Sequence, residues 1–141
     1  MTSAGFMLAQ AAEDLIGTPF RLHGRDRATG VDCVGLVACA LMAIGRRPVV
    51  PRGYALRHCA IDDHLPLALR SGFVTATGPE QPGDLLLVRP GPAQHHLLIA
   101  VGGRRFVHAH AGLGRVVAMP GPPEWPYLAH WRLAAPQTGA N

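Results

Sequence analysis

The chain has 141 residues, of which 48% are hydrophobic, and its formal net charge is +4. This length suits one ordinary domain, and the apolar fraction is sufficient for a core. The sequence has no apolar run long enough to cross a membrane, and its arginines are scattered without interleaved aromatic residues. We therefore expect a single domain over residues 1–141 that neither inserts into a membrane nor binds nucleic acid.

Two helices are predicted in the first third of the chain. The first spans residues 3–16 and ends at Gly17, and a polar loop over residues 20–31 follows it. The second begins at Cys33, with Asp32 as its N-cap and Gly45 as its stop. A short helix is also expected over residues 61–71, before Gly72. The predicted apolar face of the first helix consists of Phe6, Leu8, Ala12, Leu15 and Ile16.

Short apolar runs separated by Gly and Pro predict strands in the second half of the chain. A turn at Gln81–Asp84 precedes the first of them, and we expect Val101 to pair with Phe106 across Gly102-Gly103. Helices followed by antiparallel strands predict an α+β fold. The predicted strands are Leu85–Val88, Leu97–Val101, Arg105–Ala109, Arg115–Met119 and His130–Ala134.

Cys33 differs from the other two cysteines in its position at the first turn of a helix. The N-terminus of a helix carries a partial positive charge and free N–H groups. These features are expected to lower the pKa of the thiol and to stabilise an oxyanion. Cys39 lies mid-helix, and for it and Cys59 we expect the usual role of a buried apolar residue. Three irregularly spaced cysteines do not suggest a disulfide framework.

Histidines on two neighbouring strands supply the groups that a thiol nucleophile needs, namely a base and a residue that orients it. A turn at residues 102–104 places His96 and His108 on one face of the sheet, whereas His95 points away or lies in the preceding loop. The alternative is a metal site made of Cys33, His96, His108 and His110. The neighbouring sequence supplies no second cysteine or carboxylate ligand, so a metal-free Cys-His-His site is favoured.

Five short motifs, in the right order, resemble those of the NlpC/P60 cell-wall peptidases and together cover nearly the whole chain. Family patterns such as D-C-S-G-L-V, P-G-D-L and F-I-H-A each have a counterpart here. The matching segments are Leu15–Arg21, Asp32–Val37, Gln81–Leu85, His96–Gly102 and Phe106–Ala109.

The resemblance implies a papain-like α+β fold in which N-terminal helices pack on an antiparallel sheet. It implies Cys33 as nucleophile, His96 as base and His108 as the residue that orients His96, with no metal or cofactor. The substrate implied is the D-γ-glutamyl to diamino-acid bond of peptidoglycan stem peptides. Asp32 is implied to hold a substrate amine. Phe20 at the substrate site replaces the family's usual Tyr, and Val34 replaces its Ser, so both departures bear on substrate identity.

Three further segments resemble the small peptidases of phage tails and gene transfer agents. They are the loop Arg21–Gly30, the region of Tyr54 and the Trp131-Arg132 pair. The N-terminal residues do not follow a signal-peptide pattern, so we expect synthesis in the cytoplasm and carriage to the wall on a phage-like tail. Tail hub or tip proteins are then the expected partners. Three aromatic residues of the tail are expected either to form the docking edge or simply to cap the sheet, namely Trp125, Tyr127 and Trp131.

Two other functions are compatible with the same motifs. One is a catalytically silent structural component of a tail tip, although such a component would not need Cys33, His96 and His108. The other is a related thiol amidase that cuts a different bond of the cell wall.

Overall fold

The computed structural model describes residues 3–49, 68, 70–92, 94–121 and 123–135. Tyr54, Cys59 and most of the helix predicted over residues 61–71 lie outside this part of the chain, and the single-domain assignment stays a prediction. In the described part, no helix is long and apolar enough to span a bilayer. The elements are α1 (Ala4–Asp14), β1 (Arg25–Asp26), β2 (Gly30–Val31), α2 (Cys33–Ala43), β3 (Phe73–Thr75), β4 (Leu85–Val88), β5 (His96–Val101), β6 (Arg105–His110), β7 (Arg115–Pro120) and β8 (Tyr127–Leu133).

Six strands form one antiparallel sheet in the order β3-β8-β4-β5-β6-β7, and β1 and β2 form a separate two-stranded ribbon. The predicted α+β class, α2 and the meander from β4 to β7 are confirmed. Three features were not predicted, and the first is the ribbon of β1 and β2, which lies within the expected polar loop. The three-residue β3 is too short to show a periodic pattern, and β8 begins at Tyr127 rather than His130 because Pro126 masks its start.

The sheet has two differently covered sides because successive side chains of a strand alternate. One side, here called the helix-facing side, packs against α1 and α2 and carries the main core, including Leu97, Ile99 and Val107. The opposite side, here called the second side, carries a smaller cluster. The members of that second cluster are Leu86, Val88, Leu98, Ala100 and Phe106.

Trp131 lies on the helix-facing side and is only 1% exposed, so its predicted place in an exposed docking edge is wrong. The reason is alternation along β8, which turns its neighbours His130 and Arg132 to the second side. The predicted apolar face of α1 is also wrong in part, since Phe6 and Ile16 are exposed. The buried stripe of α1 and its C-cap runs through Leu8, Ala9, Ala11, Ala12 and Leu15.

The turn between β5 and β6 contains three residues, so the predicted pairing of Val101 with Phe106 is wrong. Val101 pairs with Arg105, and Ala100 pairs with Phe106. The third residue of this turn is Arg104, whose φ of 57° is left-handed. Because paired residues share a side of the sheet, the predicted placement of His96 and His108 on one side still holds.

Candidate active site

The carboxylate of Asp32 organises the start of α2. It caps the helix, as predicted, by accepting the N–H of Gly35 at 2.9 Å. Its other oxygen accepts the N–H of His23 at 2.7 Å, and Arg25 lies 3.3 Å from the first oxygen. The side chain is fully buried, so these contacts join the loop before α2 to the helix. The implied contact of Asp32 with a substrate amine stays a prediction.

Close packing of two backbone segments explains why the Asp32–Val37 motif has a glycine at position 35. A Cβ atom on Gly35 would lie 1.9 Å from the carbonyl oxygen of Gly24, so no other residue fits without movement of the backbone. Phe20 reaches the same region through a bridge to Val31, and it is half-buried against the main core. The motif therefore fixes the position of the helix start, and the role of Phe20 in substrate binding stays a prediction.

Cys33 is the first residue of α2 and is 1% exposed. Burial is the main cause that raises the pKa of its thiol to about 12, and the charge of Asp32 raises it further. The backbone N–H groups of Leu97, Val34 and Cys33 itself act in the opposite direction and lower this pKa. The expectation that the helix N-terminus lowers this pKa is therefore wrong for the resting structure. Desolvation outweighs the field of the helix, and the thiol is neutral at pH 7.

The N–H of Leu97 faces Cys33 because the pairing between β5 and β6 stops short of it. The N–H of Ala100 donates to Asp84 on the β4 side, so the N–H of Leu97, three residues earlier, points to the β6 side. The β5–β6 ladder runs only from Ile99 to Val101. The thiol of Cys33 therefore lies at the end of this ladder, beside the residue that follows His96.

His96 and His108 are in direct contact on the second side of the sheet. Nε2 of His96 lies 2.8 Å from Nδ1 of His108, and the rings meet edge to face at 82°. His108 is 2% exposed and His96 is half-buried. Burial, together with the charges of His108 and His110, lowers the pKa of His96 to about 3. Burial, together with the charge of His110, lowers the pKa of His108 to about 4. Both imidazoles are therefore neutral at pH 7.

Two further histidines lie beside this pair. His110 ends β6, and its Nδ1 accepts the N–H of Leu113 at 3.0 Å. His95 lies in the loop before β5, as predicted. Both border a cleft of about 340 Å³ together with His96, His108 and Trp125. Among the residues that the structure describes, no three His, Cys, Asp or Glu side chains are arranged to hold a metal ion.

The family model named NlpC/P60 matches residues 17–125 of the chain. The chain belongs to the NlpC/P60 family. None of the curated proteins matches it significantly in sequence.

Solved NlpC/P60 structures share the fold of this chain. NlpC2 from Trichomonas vaginalis is similar with a TM-score of 0.69 and 16% identity, over 94% of this chain and 48% of that one. An NlpC/P60 family protein from Bacillus cereus ATCC 10987 has a TM-score of 0.68 and 20% identity, over 96% and 42%. The peptidoglycan hydrolase RipB from Mycobacterium tuberculosis has a TM-score of 0.58 and 21% identity, over 95% and 66%. The chain thus spans about half of the first two proteins.

Trp125 is a part of this NlpC/P60 site that the sequence did not reveal. The centroid of its ring lies 6.2 Å from those of both His96 and His108, and it meets the two rings at 82° and 76°. Its place beside the histidines depends on a register shift between β4 and β8 at Leu87/Val88, and this shift has no local sequence signal.

Asp84 is a second residue whose role was missed, since it was interpreted only as part of a turn. It is fully buried and accepts two bonds of 2.9 Å from Arg132, while Nε2 of His130 lies 2.6 Å from it. Asp84 precedes β4, whereas His96 pairs with Val88 at the far end of that strand. The aspartate of the P-G-D-L motif is therefore a structural residue in this NlpC/P60 chain.

Proposed function

We propose that the protein is a cysteine peptidase that cleaves the D-γ-glutamyl to diamino-acid bond of peptidoglycan stem peptides. The observation that carries this proposal is the 2.8 Å contact between His96 and His108. His96 is followed on β5 by Leu97, whose backbone N–H faces the thiol of Cys33. Family membership supports it, and one similar structure is by name a peptidoglycan hydrolase.

Catalysis starts from a neutral thiol and a neutral imidazole. His96 accepts the thiol proton while the sulfur of Cys33 attacks the amide carbonyl carbon. The N–H groups of Cys33 and Val34, which face the sulfur at rest, stabilise the oxyanion. The imidazolium of His96 then protonates the leaving amine as the C–N bond breaks. Water attacks the thioester, the C–S bond breaks, and the thiol recovers its proton.

Burial of the nucleophile makes substrate entry part of the proposed reaction. The thiol of Cys33 is 1% exposed, so a stem peptide must displace neighbouring groups before its carbonyl meets the sulfur. This observation also favours the second function considered, a structural tail-tip component without activity. A third function, a thiol amidase acting on another wall bond, would use the same three residues.

Digestion of purified sacculi and of synthetic stem peptides, with mass spectrometry of the fragments, separates these functions. The wild-type chain is expected to release products cut after D-γ-glutamate, with or without EDTA. Cys33→Ala is expected to release none, and Cys39→Ala is the matched control that keeps activity. Fragments cut at another bond identify the amidase, and an inactive, folded wild-type chain identifies the structural component.

We propose further that the protein reaches the wall on a phage-like tail and contacts tail hub or tip proteins. The resemblance of the loop Arg21–Gly30 and of Trp131-Arg132 to tail-associated peptidases supports this, as does the exposed ring of Tyr127. Mass spectrometry of purified particles is expected to detect the chain at the distal tail. Its absence from particles, with strong activity in free solution, would instead identify a lytic or housekeeping hydrolase.

A further inference from the structure

An irregularity in β8 determines which side of the sheet Trp125 lies on. Leu87 pairs with Ala129, but Val88 pairs with Tyr127, so Leu128 is an extra residue in β8. Such a bulge reverses the side on which all preceding side chains lie. Tyr127 thus shares the second side with Val88, and by alternation so does Trp125.

Backbone bonding then holds this segment beside the histidines. The N–H of Arg89, just after β4, donates to the carbonyl oxygen of Pro126 at 3.0 Å. Trp125 precedes that proline and packs against the second cluster. Its half-buried ring meets His96 and His108 edge to face, with equal centroid distances of 6.2 Å. One aromatic ring therefore contacts both members of the imidazole pair.

We propose that Trp125 is a positioning residue that fixes the planes of the His96 and His108 rings and keeps water from them. This inference rests on the proposed hydrolase function and deepens it. The two imidazoles share a single hydrogen bond, and its strength depends on the angle between the rings. A ring that contacts both of them restricts rotation of each about its χ2 angle. Productive alignment of His96 with the thiol therefore depends on Trp125.

Water exclusion by Trp125 has a second consequence. Burial is the main cause of the lowered pKa of His96 and of His108, and the indole ring supplies part of that burial. The titratable groups beside the pair are His110 on β6, which acts on both rings, and His95 in the loop before β5, which lines the same cleft. Removal of the indole leaves those groups in place and admits water, so the two pKa values rise toward the ordinary value.

Three variants of the full chain test the proposal: Trp125→Ala, Trp125→Phe and, as a matched control, Val74→Ala. Val74 is an exposed apolar residue on β3, at the edge of the sheet. The first readout is an NMR titration of isotope-labelled imidazoles from about pH 8 to about pH 5, across the ordinary range of histidine. We expect both histidines to stay neutral in the wild type and in Val74→Ala, to titrate in Trp125→Ala, and to shift less in Trp125→Phe.

The second readout is the kinetics of stem-peptide hydrolysis. Loss of alignment is expected to lower kcat about tenfold in Trp125→Ala with little change in KM, and Trp125→Phe should recover most of the loss. The acid limb of the pH profile should move upward with the imidazole titration. If Trp125→Ala does not fold, Trp125→Phe alone must still show the upward shift.

Two results would overturn the inference. One is an imidazole titration in the Trp125 variants that matches Val74→Ala. The other is a loss of thermal stability with unchanged pH profile and unchanged kcat, which would make Trp125 only a packing residue. Because the titration needs no substrate, it still decides the role of Trp125 if the wild type fails to hydrolyse stem peptides, a result that would count against the proposed function alone.

Discussion

Nε2 of His96 and Nδ1 of His108 lie 2.8 Å apart, so a single hydrogen is shared between two imidazoles that are both neutral at pH 7. When His96 is the donor, its Nδ1 keeps a lone pair, which is the acceptor that a thiol proton requires. With this contact in place, His96 can act as a base through Nδ1 only in the tautomer in which its Nε2 is the donor to His108.

This relationship predicts graded effects of substitution. His96→Ala is expected to lower kcat by about a thousandfold, within the range of general-base contributions. His108→Ala should lose somewhat less, and His108→Gln should recover part of that loss, because an amide oxygen can accept the His96 N–H. His95→Ala and His110→Ala serve as controls with mild effects. Steady-state kinetics that show equal losses for His95→Ala and His96→Ala would contradict the assignment.

The free energy of unfolding should decrease as the pH falls, over a range set by the pKa values of His96 and His108. The folded-state pKa values of about 3 and about 4 lie below the ordinary 6.5, so the unfolded chain binds more protons as the pH falls below 6.5. The stabilisation is therefore complete above 6.5 and is lost toward the folded-state values. Each histidine contributes a slope of at most about 1.4 kcal/mol per pH unit. Urea unfolding at several pH values measures the slope.

The double variant His96→Gln/His108→Gln is the control for that measurement. It should unfold with a much flatter dependence on pH between 6.5 and about 4. An equally steep dependence in the double variant would assign the effect to other groups.

Arg132→Ala should destabilise the fold far more than the loss of a surface ion pair. Burial alone would raise the pKa of Asp84, but its bonds to Arg132, Gln81 and His130 keep it below the ordinary value. Removal of Arg132 leaves a buried carboxylate, and we expect a loss of about 3–5 kcal/mol in the free energy of unfolding. Arg105→Ala is the control, because its ion pair with Glu13 is exposed and should contribute about 0–1 kcal/mol. Equal losses in urea unfolding would contradict the structural role of Asp84.

Gly35→Ala tests the close contact between α2 and the preceding loop. Its new Cβ atom would meet the carbonyl oxygen of Gly24, and we expect a loss of about 3 kcal/mol of stability, the upper range of overpacking. Gly102→Ala is the control, since its Cβ atom would meet no atom within 4 Å. A thermal midpoint for Gly35→Ala that equals the control value would show that the loop moves aside freely.

Local sequence patterns were sufficient for much of the fold and for the histidine contact. α2 has an N-cap at Asp32 and a stop at Gly45, and β4 to β7 are apolar runs separated by Gly and Pro. The placement of His96 and His108 on one side followed from the expected turn at residues 102–104, whereas the expected pairing of Val101 with Phe106 would have put them on opposite sides.

The remaining features depend on contacts between distant parts of the chain. The raised pKa of Cys33 comes from burial beneath a strand more than sixty residues away, and the ion pair of Asp84 spans 48 residues to Arg132. Trp125 reaches the histidines only because Leu128 is an extra residue in β8. A propensity or a period read along the sequence contains none of this information.

The position of β8 has a consequence for biosynthesis. This strand lies between β3 and β4, so an interior member of the sheet is translated after all its neighbours. On the ribosome, β3 cannot pair with β8, its neighbour in the finished sheet, until residues 127–133 have emerged. β8 also follows shortly after Trp125, the residue whose ring contacts both His96 and His108. A nascent chain therefore cannot complete the arrangement around His96 before its last described strand leaves the exit tunnel.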